Sequence, residues 1–546
     1  MGNSKFSITA PILLAVGLAA GVLLGATMIN QGTTDQGVVN SVIKFREVMS
    51  NIEKSYVDDV NSDDLLNDAI TKMLEDLDPH SIYIPKRDVE LTNADLRGEF
   101  EGIGIEFNII RDTIIVVAPI TGGPSEEIGI KSGDRIVEVD GENVAGVGIT
   151  IRGVIDRLRG PKGSEVTVGI LSRKNKKVEN FNIIRDKIPQ YSVDVGYMIN
   201  DHTGYIKISR FSSTTYDEFR KELEDLKALG LEKLILDLQD NPGGYMDRAV
   251  NVADEFISGD KLIVSQDGRV KRYNAEYRAY KKGLFEEGPL IVLINEGSAS
   301  GSEIVAGALQ DHDRALIVGR RSFGKGLVQM PIPLSDGSEL RLTISRYYTP
   351  SGRSIQKPYN GDMDNYHADR MMRYQHGEFF SEDSISVNDS LIYKTSKGRI
   401  VYGGGGIMPD YFVPLDTTYN SPYLNELIYN NVIREYTLNY FNENRVTLEN
   451  MSLDDFTNGF EVTETMLQDL VNLANQFDIS FDITQFNKSM PMIKNRIKAY
   501  IARSVWNNKG WYKIANEMNE TFREALGHFD KAAHLASTET LVNKKY

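Results

Sequence analysis

The first pattern along the chain is an apolar segment without charge. No charged residue lies between Lys5 and Asp35, and residues 8–29 are mostly Leu, Ala, Val, Gly and Ile. A segment of this length spans the hydrocarbon core of a bilayer, which is about 30 Å thick. We therefore expect residues 1–35 to hold a cytoplasmic tip and a transmembrane anchor, with the body of the protein exported. A cleaved signal peptide is the alternative interpretation.

Apolar residues then recur at helical spacing over residues 36–88. They are Val42, Phe45, Val48, Met49 and Ile52, followed by Leu65, Leu66, Ala69, Ile70, Met73 and Leu74. Intervals of three and four residues place side chains on one face of a helix. The pattern predicts an N-terminal helical region whose second helix is closed by Asp78-Pro79-His80.

Short strand-like runs alternate with glycine-containing turns over residues 89–187. Runs at 102–107 and 113–117 precede a Ser-Gly-Asp-x-Ile-x-x-Val-Asp-Gly hairpin at 132–141, and a helix at 150–159 and two strands follow. This order resembles a PDZ domain. The resemblance implies a loop of backbone N–H groups that binds a C-terminal carboxylate, beside a strand edge that pairs with the tail. The loop residues are Gly102, Ile103, Gly104 and Ile105. A plain β-turn is the alternative explanation of these glycines.

From residue 188 to 358, apolar strand-like runs alternate with amphipathic helices. Strands are predicted at residues 204–209, 233–238, 289–294 and 315–318, and helices at 215–229, 245–257 and 300–310. Such alternation is typical of an α/β core. Residues 359–399 are polar and poorly patterned, so we expect a surface insertion there, and residues 400–415 return to the core.

Residues 416–546 have a helical pattern that ends in a polar tail. They lie beyond the α/β core and have no chemical motif of their own. We expect this helical region to bind an adaptor or to mediate self-association. Packing against the core is the alternative interpretation.

Composition limits the classes of function. The chain has 546 residues, a net charge of −16 and no cysteine. The length predicts several domains, and the negative charge argues against nucleic acid, which is bound by a basic face. Without cysteine there are no disulfides, thiolate nucleophiles or Cys-bound metals. His-x-x-x-His is also absent, so neither a metal nor another cofactor is expected.

Ser300 begins a predicted apolar helix, in the sequence Ser298-Ala-Ser-Gly-Ser-Glu303. A helix start offers unpaired backbone N–H groups and the positive end of the helix dipole, which suits an oxyanion. The alternative is structural, because Ser300 with Glu303 three residues later forms a capping box. Ser298 and Ser302 are rival nucleophiles on the same segment.

Lys325 lies in Gly319-x-x-x-x-Gly324-Lys325, which is close to a Walker A phosphate loop. The next residue is Gly326, where a phosphate loop has the Ser or Thr that binds magnesium. A phosphate loop also runs into a helix, whereas residues 327–333 contain two prolines and are strand-like. These differences argue against a nucleotide site and leave Lys325 as a candidate base.

A lysine acts as a base only when it is neutral. Its usual pKa is about 10.4, and lowering this pKa to about 7 costs roughly 4.6 kcal/mol. Burial disfavours the charged form, and Phe323 and Leu327 are apolar neighbours of Lys325. Gln329 lies four residues beyond Lys325, on the same face of a regular strand, where its amide would orient the amine.

A Ser-His-Asp triad is the competing arrangement, with Asp311 and His312 as its candidates. A helix rises about 1.5 Å per residue, so His312 lies roughly 18 Å from Ser300. His312 therefore cannot reach this serine. Ser300 also lacks the Gly-x-Ser-x-Gly surroundings of a nucleophile elbow.

Several spaced motifs resemble the C-terminal processing peptidases, or tail-specific proteases. They are Leu77-Asp-Pro-His80, Leu236-Asp-Leu-x-x-Asn-Pro-Gly-Gly244, Ser298-Ala-Ser-Gly-Ser-Glu303, Phe323-Gly-Lys-Gly-x-Val-Gln329 and Tyr348-Thr-Pro-Ser-Gly-Arg-Ser-Ile-Gln356. The resemblance covers about residues 40–415. It implies an α/β crotonase/ClpP-like core with an inserted PDZ domain. The N-terminal helical segment and the helical C-terminal extension flank this core.

The same resemblance implies roles for individual residues. Ser300 is implied to be the nucleophile, Lys325 the general base and Gln329 its orienting partner, in a variant of the catalytic triad. Backbone N–H groups are implied to stabilise the oxyanion. They belong to Gly301 and to either Gly243 or Gly244.

The chain departs from the family pattern at two positions. Gly301 stands where Ala is usual, and Gln239 stands where Arg is usual. Neither change removes a reacting group, although Gly301 would loosen the oxyanion hole. Asp311 matches an acidic position of the family, to which we assign a structural role.

Taken together, the sequence predicts a serine endopeptidase of the bacterial cell envelope. It is expected to be anchored in the inner membrane with its body in the periplasm, or periplasmic if the N-terminal segment is cleaved. Its expected substrates are exported proteins with apolar C-terminal tails, which the PDZ domain captures. The alternative is a non-catalytic PDZ scaffold that binds exported C-termini.

Overall fold

The computed structural model describes residues 36–171 and 177–537. The predicted anchor at residues 8–29 lies outside the described residues. Within the described residues, no helix is both long enough and apolar enough to cross a membrane. The chain divides into two compact units, residues 1–76 and 77–546.

The described part of the first unit consists of two helices, α1 (Gln36–Ser55) and α2 (Ser62–Glu75). The Asn61 side chain caps α2 by accepting a hydrogen bond from a backbone N–H of the first turn, as asparagine often does at helix starts. Both helices lie where helical spacing predicts them. The second unit begins with β1 (Ile82–Ile84) and α3 (Lys86–Arg97).

Residues 99–189 form a β-rich region with its own apolar core. Its strands are β2 (Glu99–Gly102), β3 (Ile105–Ile110), β4 (Thr113–Pro119), β5 (Arg135–Val139), β6 (Glu142–Asn143), β7 (Glu165–Leu171), β8 (Val178–Ile184) and β9 (Asp186–Pro189). Its helices are α4 (Pro124–Glu127) and α5 (Ile151–Leu158). The main sheet has the order β3-β4-β5-β7-β8, so β3 is an edge strand that pairs only with β4 among the described residues. Helix α5 buries Val154 and Leu158 against this sheet.

The following region alternates strands with helices, as its sequence pattern predicts. The strands are β10 (Val193–Met198), β11 (Thr203–Ile208), β12 (Lys233–Asp237), β13 (Leu262–Asp267), β14 (Ala275–Arg278), β15 (Leu290–Ile294), β16 (Leu316–Gly319), β17 (Leu327–Pro333) and β18 (Glu339–Tyr348). The helices are α6 (Thr215–Ala228), α7 (Met246–Asp254) and α8 (Gly301–Asp311). Every residue of α8 is buried, including the polar Glu303 and Asp311.

Residues 359–399, expected to be a surface insertion, also contact the core through buried side chains. The elements here are α9 (Met363–Gln375) and β19 (Ile392–Lys394), followed by β20 (Ile400–Tyr402) and β21 (Tyr411–Phe412). The buried Arg373 guanidinium donates to the carbonyls of Arg321 and Ser322 and pairs with Glu378. The hydrophobic pattern does not reveal this packing because only Tyr366 and Phe379 are buried apolar residues there, and the contacts with the core also depend on the charged Arg373 and Glu378.

Two sheets organise the second unit outside residues 99–189. The first has the order β10-β11-β12-β15-β16-β21 and is parallel except for the β10–β11 pair. Every residue of β15 is buried, as expected for a parallel strand covered on both faces. The second sheet is antiparallel and joins β1, β18, β13 and β14, with β17 beside β18. Strand β1 thereby brings the chain just after residue 77 next to the β17–β18 hairpin.

The C-terminal helices have two different packing partners. They are α10 (Pro422–Tyr429), α11 (Val432–Glu449), α12 (Leu453–Gly459), α13 (Glu464–Asn475), α14 (Ile483–Ala515), α15 (Glu520–Leu526) and α16 (Phe529–Ala536). Helices α10 to α14 surround a separate apolar cluster. Helices α15 and α16 place Phe522 and Phe529 on the face of the parallel sheet opposite to α6, α7 and α8. Helices α15 and α16 therefore pack against the core, as the alternative interpretation of this region proposes.

Candidate active site

Ser300 stands at the sharp junction between β15 and α8. Its backbone has φ 53° and ψ −109°, a conformation that residues with a side chain rarely adopt and that costs about 1–3 kcal/mol. Its side chain is half-buried. An unfavourable backbone conformation of this kind persists only where surrounding contacts enforce it. The hydrogen bonds that hold the β15–α8 junction are therefore part of the candidate site.

The three neighbouring serines differ in their access to a substrate. Ser298 Oγ donates to the Leu238 carbonyl at 2.8 Å, and Ser302 Oγ donates to the Asn241 carbonyl at 2.8 Å. Both serines are 0% exposed. Both hydroxyls are buried and already bonded to backbone carbonyls. Ser300 is therefore the serine of this segment that a substrate can reach.

The buried carboxylate of Glu303 connects the serine loop to the lysine loop. Its Oε2 accepts hydrogen bonds from the backbone N–H groups of Ser300, at 2.8 Å, and Lys325, at 2.9 Å. Its Oε1 accepts from the Gly324 N–H, at 2.7 Å, and from the Ser322 hydroxyl. The backbones of Ser300 and Lys325 therefore meet at a single oxygen atom.

The ionisation of Glu303 is finely balanced. Burial raises the pKa of this carboxyl from 4.5 to about 7, and its hydrogen bonds, led by the one from Ser322, oppose the increase. All four partners act as donors, so they match an ionised carboxylate with its acceptor lone pairs. A proton on Glu303 would instead face another donor and weaken the connection between the loops.

A second buried group joins the same two residues through their carbonyls. Tyr347, on β18, is 1% exposed. Its hydroxyl is within hydrogen-bond reach of the Ser300 carbonyl, at 3.0 Å, and of the Lys325 carbonyl. Burial raises the pKa of Tyr347 well above its ordinary value, so the hydroxyl keeps its proton and remains a donor. The sequence does not single out Tyr347, because it is one of several similar residues in a predicted hairpin strand.

Lys325 is half-buried directly before β17. Burial lowers the pKa of this lysine, the Arg341 charge lowers it further, and Glu303 and Asp78 oppose the decrease. Lys325 Nζ forms no hydrogen bond or ion pair with any residue in the described part of the chain. In particular, it does not bond Ser300 Oγ. The Ser300 and Lys325 backbones are thus joined through Glu303, while their side chains are not hydrogen-bonded to each other.

The surroundings of Gln329 differ from those expected for a regular strand. A β-bulge between Val328 and Gln329 interrupts β17, so spacing from Lys325 no longer fixes the face on which Gln329 lies. The Gln329 amide nitrogen donates to Thr343 Oγ1 at 3.3 Å. Thr343 in turn donates to Asp78. The orienting role of Gln329 stays a prediction.

The Asp78-Pro79-His80 turn lies near Gln329, because Thr343 bonds both Gln329 and Asp78. The Asp78 carboxylate accepts hydrogen bonds from the backbone N–H groups of His80 and Ser81. His80 Nε2 lies 2.7 Å from the Tyr366 hydroxyl. Burial, followed by the charge of Lys325, lowers the pKa of His80 to about 3. His80 is therefore neutral at physiological pH and adds no positive charge beside Lys325.

The helix of the insertion, α9, completes the lysine loop. The rings of Phe323 and Tyr366 meet edge to face with centroids 6.2 Å apart. Lys357 Nζ lies 4.0 Å from the Phe323 centroid and 4.1 Å from the Tyr366 centroid, within the range of a cation–π interaction. Gln356 Oε1 accepts a hydrogen bond from the Gly326 N–H at 2.9 Å. These contacts fix the loop on both sides of the lysine.

The glycines expected to form an oxyanion hole differ in the availability of their N–H groups. The Gly243 N–H donates to Asn241 Oδ1 at 2.9 Å. The N–H groups of Gly244 and Gly301 donate to no residue in the described part of the chain. A Cβ added at Gly243 would lie 2.7 Å from the Gly301 nitrogen, so these segments are in close contact. Hydrogen bonding therefore favours Gly244 over Gly243 as the partner of Gly301.

Both departures from the family pattern have local explanations. A Cβ at Gly301 would lie 3.0 Å from the Phe211 ring and 3.4 Å from the Ala249 Cβ, so an alanine requires the ring to shift. At the second position, the Gln239 amide oxygen accepts a hydrogen bond from Asn519 Nδ2 at 3.1 Å. Gln239 thus contacts the C-terminal region that covers the parallel sheet.

The expected carboxylate-binding loop lies between β2 and β3, with Gly102 in β2 and Ile105 in β3. The Ile103 carbonyl accepts hydrogen bonds from the Ser125 N–H and hydroxyl. The N–H groups of Ile103 and Gly104 donate to none of the described residues. Gly104 has φ 75°, which favours glycine. The loop therefore offers unpaired N–H groups beside an edge strand.

Comparison with known families accounts for most of the chain. A model of peptidase family S41 matches residues 202–363, and a PDZ-domain model matches residues 115–171. A model of the N-terminal domain of the activating protease CtpB matches residues 24–88. A family of unknown function matches residues 423–507.

Curated relatives match more than half of the chain. The carboxy-terminal-processing protease of Bartonella bacilliformis is 38% identical over 346 residues, which cover 62% of this chain and 79% of the relative. The carboxy-terminal processing protease CtpB of Bacillus subtilis is 36% identical, with 58% and 66% of the two chains covered. Among solved structures, the photosystem II D1 C-terminal processing protease is 29% identical over 57% of this chain and 89% of that chain, with a TM-score of 0.33.

These matches identify the class of protein as a serine peptidase of family S41 that contains a PDZ domain. Within that class, the chain belongs to the carboxy-terminal processing proteases. The family resemblance and the enzyme class expected from the spaced motifs are thereby confirmed.

Replacing Glu303 with glutamine tests the connection between the two loops. The amide keeps the size of the side chain but puts a donor where the loops also present donors. We expect cleavage of an unfolded protein to fall by at least about 100-fold, because small displacements of reacting groups have effects of this size. The measurement is the initial rate of cleavage, with circular dichroism to verify folding.

Glu255→Gln is the matched control for this experiment. Glu255 is also 0% exposed, but its carboxylate binds the Tyr216 hydroxyl and the Leu284 N–H instead of the reactive loops. This variant should lose stability and keep its cleavage rate. Equal rates in the Glu303→Gln and Glu255→Gln variants would contradict the positioning role of Glu303.

Proposed function

We propose that Ser300 and Lys325 form a Ser–Lys dyad that cleaves exported proteins recognised through their C-terminal tails. One observation carries this proposal. Glu303 bonds the N–H groups of both residues, and the Tyr347 hydroxyl contacts both of their carbonyls. Two buried side chains thus hold one serine–lysine pair in a fixed arrangement, and such positioning is a large part of catalysis.

The proposed reaction uses groups that the site already contains. Ser300 Oγ attacks the scissile carbonyl while neutral Lys325 takes the hydroxyl proton, and the lysine then gives this proton to the leaving amine. Water releases the acyl group in the second half of the reaction. The N–H groups of Gly301 and Gly244 stabilise the tetrahedral oxyanion. Gln329 remains the proposed orienting partner of the lysine.

The proposed reaction does not require the Ser300 hydroxyl and the Lys325 amine to be hydrogen-bonded to each other before a substrate binds. Catalytic hydrogen bonds are often long in free enzymes and shorten only when substrate is bound. A bound substrate displaces water from the pocket, which further favours the neutral lysine over the ammonium. We therefore place the Ser300–Lys325 hydrogen bond in the substrate complex.

The proposal includes the finer description of the fold. A parallel sheet covered by α6, α7 and α8, beside a second antiparallel sheet, supports a crotonase/ClpP-like core. The PDZ domain at residues 89–187 interrupts the chain before this core at residues 188–358 and 400–415. Helices α10 to α14 form their own apolar cluster, and an adaptor or a second copy of the chain remains their proposed partner.

The PDZ domain is proposed to capture apolar C-terminal tails. Its loop at Ile103 and Gly104 has unpaired N–H groups for a terminal carboxylate, and β3 is an edge strand that can pair with a tail. The relatives are named for C-terminal processing, which supports the same class of substrate. The proposed location is the inner membrane, with the body in the periplasm and residues 8–29 as the anchor.

Substitution of either dyad residue should abolish cleavage. With a metal chelator present, we expect Ser300→Ala and Lys325→Ala each to lower the rate on an unfolded protein by at least about 1000-fold, as removal of one member of a catalytic unit does. Ser302→Ala is the control, because this buried serine bonds only the Asn241 carbonyl. Full activity of the Ser300→Ala variant would contradict the Ser–Lys dyad. Wild-type protein that binds a peptide without cleaving it would support the alternative, a non-catalytic PDZ scaffold.

The cleavage rate should rise with pH. Lys325 must lose its proton to act as a base, and its lowered pKa places this rise below the usual lysine value of 10.5. Glu303 must be ionised to accept its four hydrogen bonds, so activity should fall as pH drops through about 7. The measurement is kcat/KM as a function of pH.

Arg341→Gln tests the lysine part of this profile. The Arg341 charge lowers the pKa of Lys325, so its removal should move the rising part of the profile to higher pH. Arg346, an exposed residue of the same strand, provides the control variant Arg346→Gln, whose profile should match that of the wild type. A profile that does not move in Arg341→Gln would argue against Lys325 as the base.

The anchor at residues 8–29 can be tested by fractionation. The full chain, expressed in a bacterium with two membranes, should stay with the inner membrane after an alkaline wash, and deletion of residues 1–35 should release it. N-terminal sequencing shows whether the segment is retained. Wild-type protein in the soluble periplasmic fraction, with a new N-terminus after residue 29, would favour the cleaved signal peptide.

A further inference from the structure

A cavity of about 1060 Å³ separates the PDZ domain from the C-terminal helices. One wall consists of the carboxylate loop, β3 and α5, which are the parts of a PDZ domain that hold a peptide. A second wall consists of α11 and α14, and the α/β core lines the cavity through β10 and α6, with Asp194, Arg210, Lys221 and Glu222 as its charged residues. A family of unknown function covers most of this second wall, so its role has to be inferred from its side chains.

The edge strand β3 presents two different faces to this region. Ile105, Phe107 and Ile109 pack in or against the apolar core of the PDZ domain. A β-bulge between Glu106 and Phe107 interrupts the regular alternation of β3. The ion pair with Arg503 nevertheless shows that Glu106 faces α14, and Glu106 and Asn108 line the cavity together with Ile105 and Phe107. The side chains of a tail paired with β3 alternate between its two faces. Half of its side chains face the PDZ core, and the others face α11 and α14.

The charged residues of the helical wall are all basic, in a chain whose net charge is −16. They are Arg434, Arg503 and Lys509. Arg503 pairs with Glu106 of β3 at 2.9 Å. Arg434 donates to the Tyr500 hydroxyl at 3.2 Å. Arg434 forms no ion pair with any residue between 36 and 171 or between 177 and 537, whereas the charge of Lys509 acts on the nearby carboxyl of Glu222, which also lines the cavity.

The wall stands beside the PDZ groove without filling it. The apolar clusters of the two regions share no residue, and the contacts that hold them together are polar. Arg111 pairs with Glu435 at 3.3 Å, and Arg445 donates to the Ser132 carbonyl at 3.0 Å. Polar contacts at the margins leave the space between them open to a peptide strand.

The backbone of α14 is broken where it borders the cavity. Trp506 and Asn507 have non-helical conformations, and Asn507 has φ 51° and ψ −143°. Both residues line the cavity. Unfavourable backbone conformations are concentrated at ligand-binding positions, where surrounding structure enforces them. The break in α14 is thus a feature of the helical wall, beside its basic residues, that lies at the PDZ groove.

We infer that α11 and α14 form the outer wall of the tail groove and select tails with acidic side chains upstream of an apolar C-terminus. This inference rests on the proposed capture of tails by the PDZ domain. An acidic side chain on the outward face of the tail pairs with Arg434, and it competes with Glu106 for Arg503. Apolar side chains on the inward face contact α5 and β3.

Two fluorescent peptides test this selection by anisotropy, with the full-length Ser300→Ala protein in detergent to prevent cleavage. Both end in the same apolar residue. One has Glu at the second and fourth positions from the C-terminus, and the other has Gln there. We expect the Glu peptide to bind about tenfold more tightly, as a charge-assisted hydrogen bond allows, and the difference to shrink at high salt.

Added to this background, Arg434→Gln with Arg503→Gln should remove the preference and leave the affinity for the Gln peptide within about twofold. Arg445→Gln, which alters a contact outside the cavity, should keep the preference. Lys509→Gln changes an exposed residue and should reduce the preference partly, which keeps the test valid if the double variant misfolds.

Equal affinity for the two peptides would overturn the selection, as would a preference that survives the double substitution. If the Gln peptide binds and no acidic preference is found, only the role of the helices is wrong. If neither peptide binds any variant, tail capture by the PDZ domain is itself refuted, and the selection is refuted with it.

Discussion

A buried carboxylate with four hydrogen-bond donors joins the two loops of the candidate active site. An unpaired charge at the position of Glu303 would cost several kcal/mol, and each hydrogen bond to a charged group returns about 1.5–3 kcal/mol. Three of its donors come from the loop that carries Lys325, and the fourth is the Ser300 N–H. Glu303 is therefore satisfied only when both loops are in place, and the unfavourable backbone of Ser300 is enforced by the same bonds.

The remaining contacts explain why distant parts of the chain are needed for a two-residue site. Strand β18 supplies Tyr347, and β1 pairs with β18 and so brings the turn at His80 to the lysine loop. The insertion supplies Tyr366, which contacts both His80 and the ring of Phe323. Lys325 is thus surrounded by segments from before the PDZ domain, from the core and from the insertion beyond it.

The sequence predicts the parts of this protein that have a periodic or local signature. The two strands predicted after the helix at 150–159 are β7 and β8, and local motifs single out Ser300 and Lys325 as candidates. Tyr347 and Tyr366 leave no such trace, because their roles are polar contacts between distant segments. The sequence does not predict the bulge before Gln329 either, since the bulge depends on how β17 pairs with β18. Helical spacing also cannot distinguish α15 and α16, which cover the core, from helices that pack among themselves.

The state of Lys325 shows why local surroundings outweigh overall charge. A net charge of −16 would seem to favour the ammonium form, but exposed charges beyond about 8–10 Å are largely screened at physiological ionic strength. The groups that act on Lys325 are the near ones. Glu303 and Asp78 favour its charged form, whereas burial and Arg341 disfavour it, and burial is the largest of the four effects. The neutral His80 adds no charge to either side. Removal of water from the Lys325 amine therefore lowers its pKa, and the loop that carries this lysine is held by Glu303, a carboxylate that is itself buried.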